Sequence, residues 1–128
     1  MGNNNIEIYF NIQNFFPVFL IILSMRKLIH EDIKRSIHSF LPGANVILFG
    51  SRARGEASVS SDVDLLIVTD QDLDSKSKLG YEKNIRKQLT HDFETPFDII
   101  LQTRNEWAEK KLLLGHIVYY ATKEGITL

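Results

Sequence analysis

Residues 48–68 read LFGSRARGEASVSSDVDLLIV. The stretch begins and ends in the apolar residues that fill buried strands. Between them lie a glycine–serine corner, two arginines, a run of small residues and two aspartates separated by one valine. A carboxylate at the head of an apolar strand loses hydration. Two together also repel, and burying them uncompensated costs several kcal/mol. Something in the chemistry of the chain has to offset that cost.

Working outward, NVILFG (45–50) is a short β-branched and aromatic run that predicts a buried strand ending at Gly50. Residues 51–57 predict a short helix or turn, and DVDLLIVTD (62–70) a second strand. Upstream, Ile29, Ile33, Ile37, Phe40 and Leu41 fall on one helical face, so residues 26–41 predict a helix stopped by Pro42-Gly43. Downstream, residues 75–90 predict a helix with Leu79, Ile85 and Leu89 as its inner stripe, and PFDIILQ (96–102) a third strand. Residues 105–123 read as mainly helical with a break or bend at Gly115, and GITL (125–128) as a final short strand. The sum is a mixed α/β (α+β) domain: a small central sheet flanked by helices.

A chain of 128 residues has room for one domain of ordinary size. Its apolar fraction of 44% suits a globular fold, and a net charge of −1 argues against a long nucleic acid as partner. Cysteine is absent, so any metal is held by oxygen or imidazole, and carboxylates favour hard divalent ions. Residues 6–23 are strongly apolar but interrupted by Asn11, Gln13, Asn14 and Pro17. The unbroken part, 18–23, is far shorter than the ~20 residues of a membrane span. MGNNNIE also lacks the positive charge that opens a secretory signal. No membrane association is expected, and the expected location is cytoplasmic. Met25 looks like the natural start of a domain over 26–128. Residues 1–25 are then an N-terminal extension or upstream start, in preference to an extra element packed on the domain.

The corner and the aspartates carry the chemistry. A strand that ends at Gly50 and runs into a helix at Ser51 presents free N–H groups to an anion, and Gly50 lets a phosphate approach the backbone. Ser51 can donate to a phosphate oxygen, and Arg52 and Arg54 can add charge-assisted contacts. The competing reading is a tight turn with Ser51 as its N-cap and two surface arginines. Residues i and i+2 of a strand share a face, which sets Asp62 and Asp64 side by side. A divalent cation taking oxygens from both removes their repulsion. Asp98, in PFDII, has the same character and joins them if its strand lies beside the second. Three acids with metal ions and a phosphate corner suit an in-line nucleotidyl transfer through two magnesium ions. His30, His38, His91 and His116 have no spacing suited to chelation, Trp107, Tyr119 and Tyr120 read as packing or partner-contact residues, and Glu56 as a solvated turn acid.

Gly50-Ser51, a ten-residue gap, Asp62-Val63-Asp64 and a later lone strand aspartate resemble the signature of polymerase-beta-type nucleotidyltransferases. More narrowly, GSRARGEASVSSDVDLLIV resembles the minimal nucleotidyltransferases, the MNT antitoxins of HEPN–MNT toxin–antitoxin pairs. The resemblance spans residues 26–128; the family usually starts near Met25. It implies the polymerase-beta-like nucleotidyltransferase fold, ATP as donor, two Mg2+ ions held by Asp62, Asp64 and Asp98, and a HEPN-type RNase toxin as partner. The activity it implies is transfer of AMP to a hydroxyl of that toxin, a tyrosine being the favoured acceptor. Two alternatives stand beside it: an antitoxin that neutralises by binding alone, and a small-molecule nucleotidyltransferase working as a homo-oligomer. Retention of all three acids favours catalysis over pure binding. The lack of a substrate domain disfavours the small-molecule reading.

Overall fold

The apolar runs pair into one sheet. The computed structural model describes residues 3–56 and 61–128, with side chains from Pro17 onward. Strands β1 (Asn45–Phe49), β2 (Val63–Thr69), β3 (Phe97–Thr103) and β4 (Ile126–Thr127) lie in the order β3-β2-β1-β4. β1 is antiparallel to β2 and to β4, and β2 is parallel to β3. A parallel pair needs a long crossover, and α3 (Ser75–Phe93) supplies it.

The period of two then sorts side chains between the faces. Val46, Leu48, Val63, Leu65, Ile67, Phe97, Ile99 and Leu101 enter one buried cluster with Ile33 and Ile37 of α1 (Asn3–Phe40), Leu41 just after it, and Ile85 and Leu89 from α3. Ile47, Phe49, Leu66 and Val68 enter a second cluster on the opposite face. Val118 and Ala121 of α5 (Ile117–Glu124) complete it, with Trp107 of α4 (Arg104–Lys110) packed against it. The expected mixed α/β layering is therefore present, with helices on both faces of the sheet.

Three expectations need correction. The helix foreseen over 26–41 extends N-terminally to Asn3, carrying Pro17 within it. The chain divides into two units, Met1–Asp32 and Ile33–Leu128. In the first unit residues 18–23 are exposed, and so is Ile29, expected on the apolar face with Ile33 and Ile37. The side chains of 6–16 lie outside the described residues, as does Ala57, the expected end of the turn after β1. Leu79, expected on the inner stripe of α3, is 65% exposed, because six residues separate it from Ile85 and turn it away from the face that Ile85 and Leu89 share. Among the described residues no helix is long and apolar enough to cross a membrane.

Candidate active site

The site is assembled where β1 ends and β2 and β3 begin. Gly50 follows β1 with φ of +74°, in the left-handed region that glycine occupies without penalty. The chain enters a single turn, α2 (Gly50–Ala53), whose N-cap position is Phe49, and no side chain caps it. Ser51 is thus inside the turn and not its cap, which sets aside the competing reading of that serine. The second reason for glycine is space. A Cβ at position 50 would press on Asp64 Oδ2 and lie 3.2 Å from Asp64 Cγ. The backbone of the corner and the carboxylate of β2 are in direct apposition.

Register brings the second acid in. Asp64 and Asp98 are Cα partners in the parallel β2–β3 pair, and Phe49 is the partner of Asp64 across β1–β2. By strand parity both aspartates point to the face that carries α5, away from the cluster containing Val63, Leu65, Phe97 and Ile99. Asp62 stands one residue before β2, outside the strand in which it was expected. The ladder there starts at Val63, whose N–H donates to the Pro96 carbonyl at 2.9 Å. Asp62 is exposed, and so is Asp98, while Asp64 is half-buried. Burial raises the Asp64 pKa above the ordinary carboxylate value, the charges of Asp98 and Asp62 raise it further, and Arg54 partly counters them. The three acids are one electrostatic group centred on Asp64.

No three acidic or imidazole side chains among the described residues are gathered into a ready-made cation cage. The donor set nonetheless suits a hard divalent ion. It offers only carboxylate oxygens, and the charge that opposes ionisation of Asp64 is the charge a cation would neutralise.

The arginines divide their labour. Arg52 donates from Nε and Nη2 to the Ser61 carbonyl at 3.2 and 2.7 Å, tying the turn after β1 to the residue before Asp62. These bonds hold the Arg52 guanidinium on the backbone next to Asp62. Arg54 is exposed, pairs with Glu56 at 3.0 Å and lies close enough to act on Asp64.

A cavity of about 270 Å³ opens beside this corner, lined by Phe49, Gly50, Arg54 and Asp64 on one side and by Ile117, Tyr120 and Glu124 of α5 on the other. Sequence reasoning missed this wall and left Tyr120 to packing or partner contact. Its signal was present in the i, i+3, i+7 spacing of the three residues, which puts them on one helical stripe. Trp107, read with Tyr119 and Tyr120 as a packing or partner-contact residue, does pack against the second cluster, and its indole N–H donates to Thr122 Oγ1 at 3.0 Å.

The chain matches the family of nucleotidyltransferase domains over residues 30–120. No curated protein matches it. Among solved structures, it is similar to a chain of a toxin–antitoxin crystal structure with AMP-PNP, at 15% identity and a TM-score of 0.56, covering 77% of this chain and 70% of that one. It is also similar to a chain from a complex of tri-AMPylated Shewanella oneidensis HEPN toxin with MNT antitoxin, at 13% identity and a TM-score of 0.51, covering 79% and 69%. A third similar structure, from Sulfolobus solfataricus, is assigned as a nucleotidyltransferase; it shares 22% identity and a TM-score of 0.51 over 82% of this chain and 79% of that one. At these identities the neighbours establish the fold, and the matched residues establish the family: the chain belongs to the nucleotidyltransferase domain family.

Proposed function

We propose that this chain is a magnesium-dependent adenylyltransferase that moves AMP from ATP to a tyrosine hydroxyl of a HEPN-type RNase toxin, acting as its antitoxin. The observation that carries the reading is the facing of Asp64 and Asp98 across β2–β3, beside a glycine corner that has no Cβ over Asp64. In the reaction the acceptor hydroxyl gives up its proton to water, its oxygen attacks the α-phosphorus, the bond from that phosphorus to the bridging oxygen of the β-phosphate breaks, and pyrophosphate leaves. Two magnesium ions, when bound, supply the positive charge that acidifies the acceptor hydroxyl and neutralises the departing pyrophosphate. Asp62 and Asp64 would hold an ion beside the triphosphate, and Asp98 would join them for an ion on the acceptor side. Gly50 admits the phosphates to the backbone, Ser51 donates to a phosphate oxygen, and Arg54 adds charge from beside Asp64. Arg52 keeps Asp62 in place through Ser61.

Asp98, the acid given to the acceptor, is exposed, as transfer to a macromolecule requires. Leu112, Leu113 and Leu114, in the link between α4 and α5, are 75, 52 and 80% exposed. Exposed apolar clusters mark docking surfaces, and this one suits a helical partner. The neighbouring complex of an AMPylated HEPN toxin with an MNT antitoxin supports the same assignment. The test is intact-mass analysis of a HEPN-type RNase after incubation with the chain, ATP and magnesium. A gain of AMP on the RNase is expected. An RNase silenced without a mass change would favour neutralisation by binding alone, and one neither bound nor modified would remove the antitoxin assignment.

A further inference from the structure

The helix α5 divides its side chains with little ambiguity. Val118 and Ala121 are buried against the sheet, and they fix the helix in place. The adjoining stripe, Ile117, Tyr120 and Glu124, lines the cavity of about 270 Å³ whose opposite wall contains Gly50, Arg54 and Asp64. Ile117 and Tyr120 remain 49 and 42% exposed although both are large and apolar. They therefore present apolar surface within the cavity that contains a metal-binding acid. The volume lies near the lower end of the ~300–1,000 Å³ typical of small-molecule sites, a size that suits a planar base with its sugar.

Charge orients whatever enters. Arg54 and the bare backbone at Gly50 attract a polyanion, whereas the Glu124 carboxylate repels one and accepts from neutral N–H or O–H groups. A nucleoside triphosphate satisfies both ends at once, with phosphates toward the corner and hydrogen-bond donors of the sugar or base toward α5. The Tyr120 ring is itself held edge-to-face by Tyr119, with centroids 5.2 Å apart at 87°. A ring held in this way is a stacking surface whose ordering is settled before the ligand arrives.

We infer that the α5 stripe of Ile117, Tyr120 and Glu124 is the nucleoside subsite of the donor triphosphate, with the base against the Tyr120 ring and Ile117. The inference rests on the nucleotidyltransferase reading and adds to it the residues that distinguish a nucleotide from a bare triphosphate. It also separates two uses of the late apolar residues: Ile117 and Tyr120 serve the donor, and Leu112, Leu113 and Leu114 are left for a partner.

The experiment is calorimetric titration of the whole chain with ATP and, separately, with inorganic tripolyphosphate, both in magnesium buffer. Wild type is compared with Tyr120→Ala, Tyr120→Phe and Ile117→Asn, each checked for its fold by circular dichroism. Tyr120→Ala and Ile117→Asn are expected to weaken ATP about tenfold or more, within the range of base–aromatic stacking. Tyr120→Phe keeps the ring and is expected to bind ATP as wild type does. Tripolyphosphate binding is expected to be the same in all four. Unchanged ATP affinity in folded Tyr120→Ala or Ile117→Asn would overturn the subsite, and so would an equal loss for both ligands. Failure of wild type to bind either ligand would overturn the nucleotidyltransferase reading itself.

Discussion

Asp64 and Asp98 are Cα partners across the parallel β2–β3 pair, and the space above Asp64 is kept open by a glycine at position 50. Two like charges are thereby set side by side at a strand head, where burial and repulsion both oppose ionisation of Asp64. A fold maintained for stability alone would gain by removing one of them.

Asp64→Asn should accordingly raise the stability of the metal-free protein at neutral pH, because the charge disfavoured there is gone. Thermal melts in EDTA should show a higher Tm for the variant. Addition of magnesium should then stabilise wild type and leave the variant nearly unmoved. A lower Tm in EDTA would mean that the Asp64 carboxylate is held by favourable partners.

Gly50→Ala combines two faults. Its φ of +74° strains any side chain, at a cost of roughly 1–3 kcal/mol. The new methyl also displaces the Asp64 carboxylate. Chemical denaturation should register the first fault, and loss of magnesium-dependent ATP binding the second. Wild-type ATP affinity in the variant would place the triphosphate away from this corner.

Arg52→Ala tests whether that guanidinium serves the chain or the substrate. Loss of two bonds to the Ser61 carbonyl should cost about 1.5–3 kcal/mol of stability. With Asp62 less well placed, kcat should fall more than the KM for ATP rises. The reverse split, a raised KM with unchanged stability, would return Arg52 to phosphate binding.

The junction of α3 and α4 has its own pH signature. Burial raises the Glu106 pKa, but hydrogen bonds from Lys78, at 2.6 Å, and from Thr103, together with the Lys78 charge, outweigh it, so the net shift is downward. A lowered carboxylate pKa contributes stability above its unfolded value near 4.5 and loses it as pH falls through the folded value. Glu106→Gln should therefore cost about 1 kcal/mol at neutral pH, the scale of a partly exposed ion pair. Denaturant titrations should show that difference shrinking below pH 4.5. A constant difference across that window would assign the loss to packing.

Much of the site was legible because it obeys local rules. Apolar runs identify β2 and β3, and the period of two in side-chain direction places Asp64 and Asp98 on one face once the strands pair. The glycine corner was legible because a strand that runs at once into a helical turn calls for a residue free to take positive φ, and Gly50 stands at that point. What escaped depends on phase and on tertiary partners. Residues 105–123, expected to be mainly helical with a break or bend at Gly115, carry apolar residues on more than one side, and their division between faces could not be read from spacing alone. The break at Gly115, with φ of +91°, starts α5 afresh at Ile117 and resolves those sides into a core stripe and a cavity stripe. The bond from Arg52 to Ser61 joins residues nine apart through an irregular turn, and no periodicity encodes it. The start of α1 was missed because nothing in 17–25 except Pro17 opposes helix, and the proline was read as an interruption.

Transfer of the α-phosphate label of ATP to a HEPN-type RNase, compared between wild type, Asp64→Asn and Asp98→Asn, tests the central claim most directly. The account predicts labelled tyrosine with wild type and none above background with Asp64→Asn. With Asp98→Asn it predicts ATP binding largely kept but transfer lost, since the proposal gives that acid to the acceptor side. Near wild-type transfer by Asp64→Asn would contradict it.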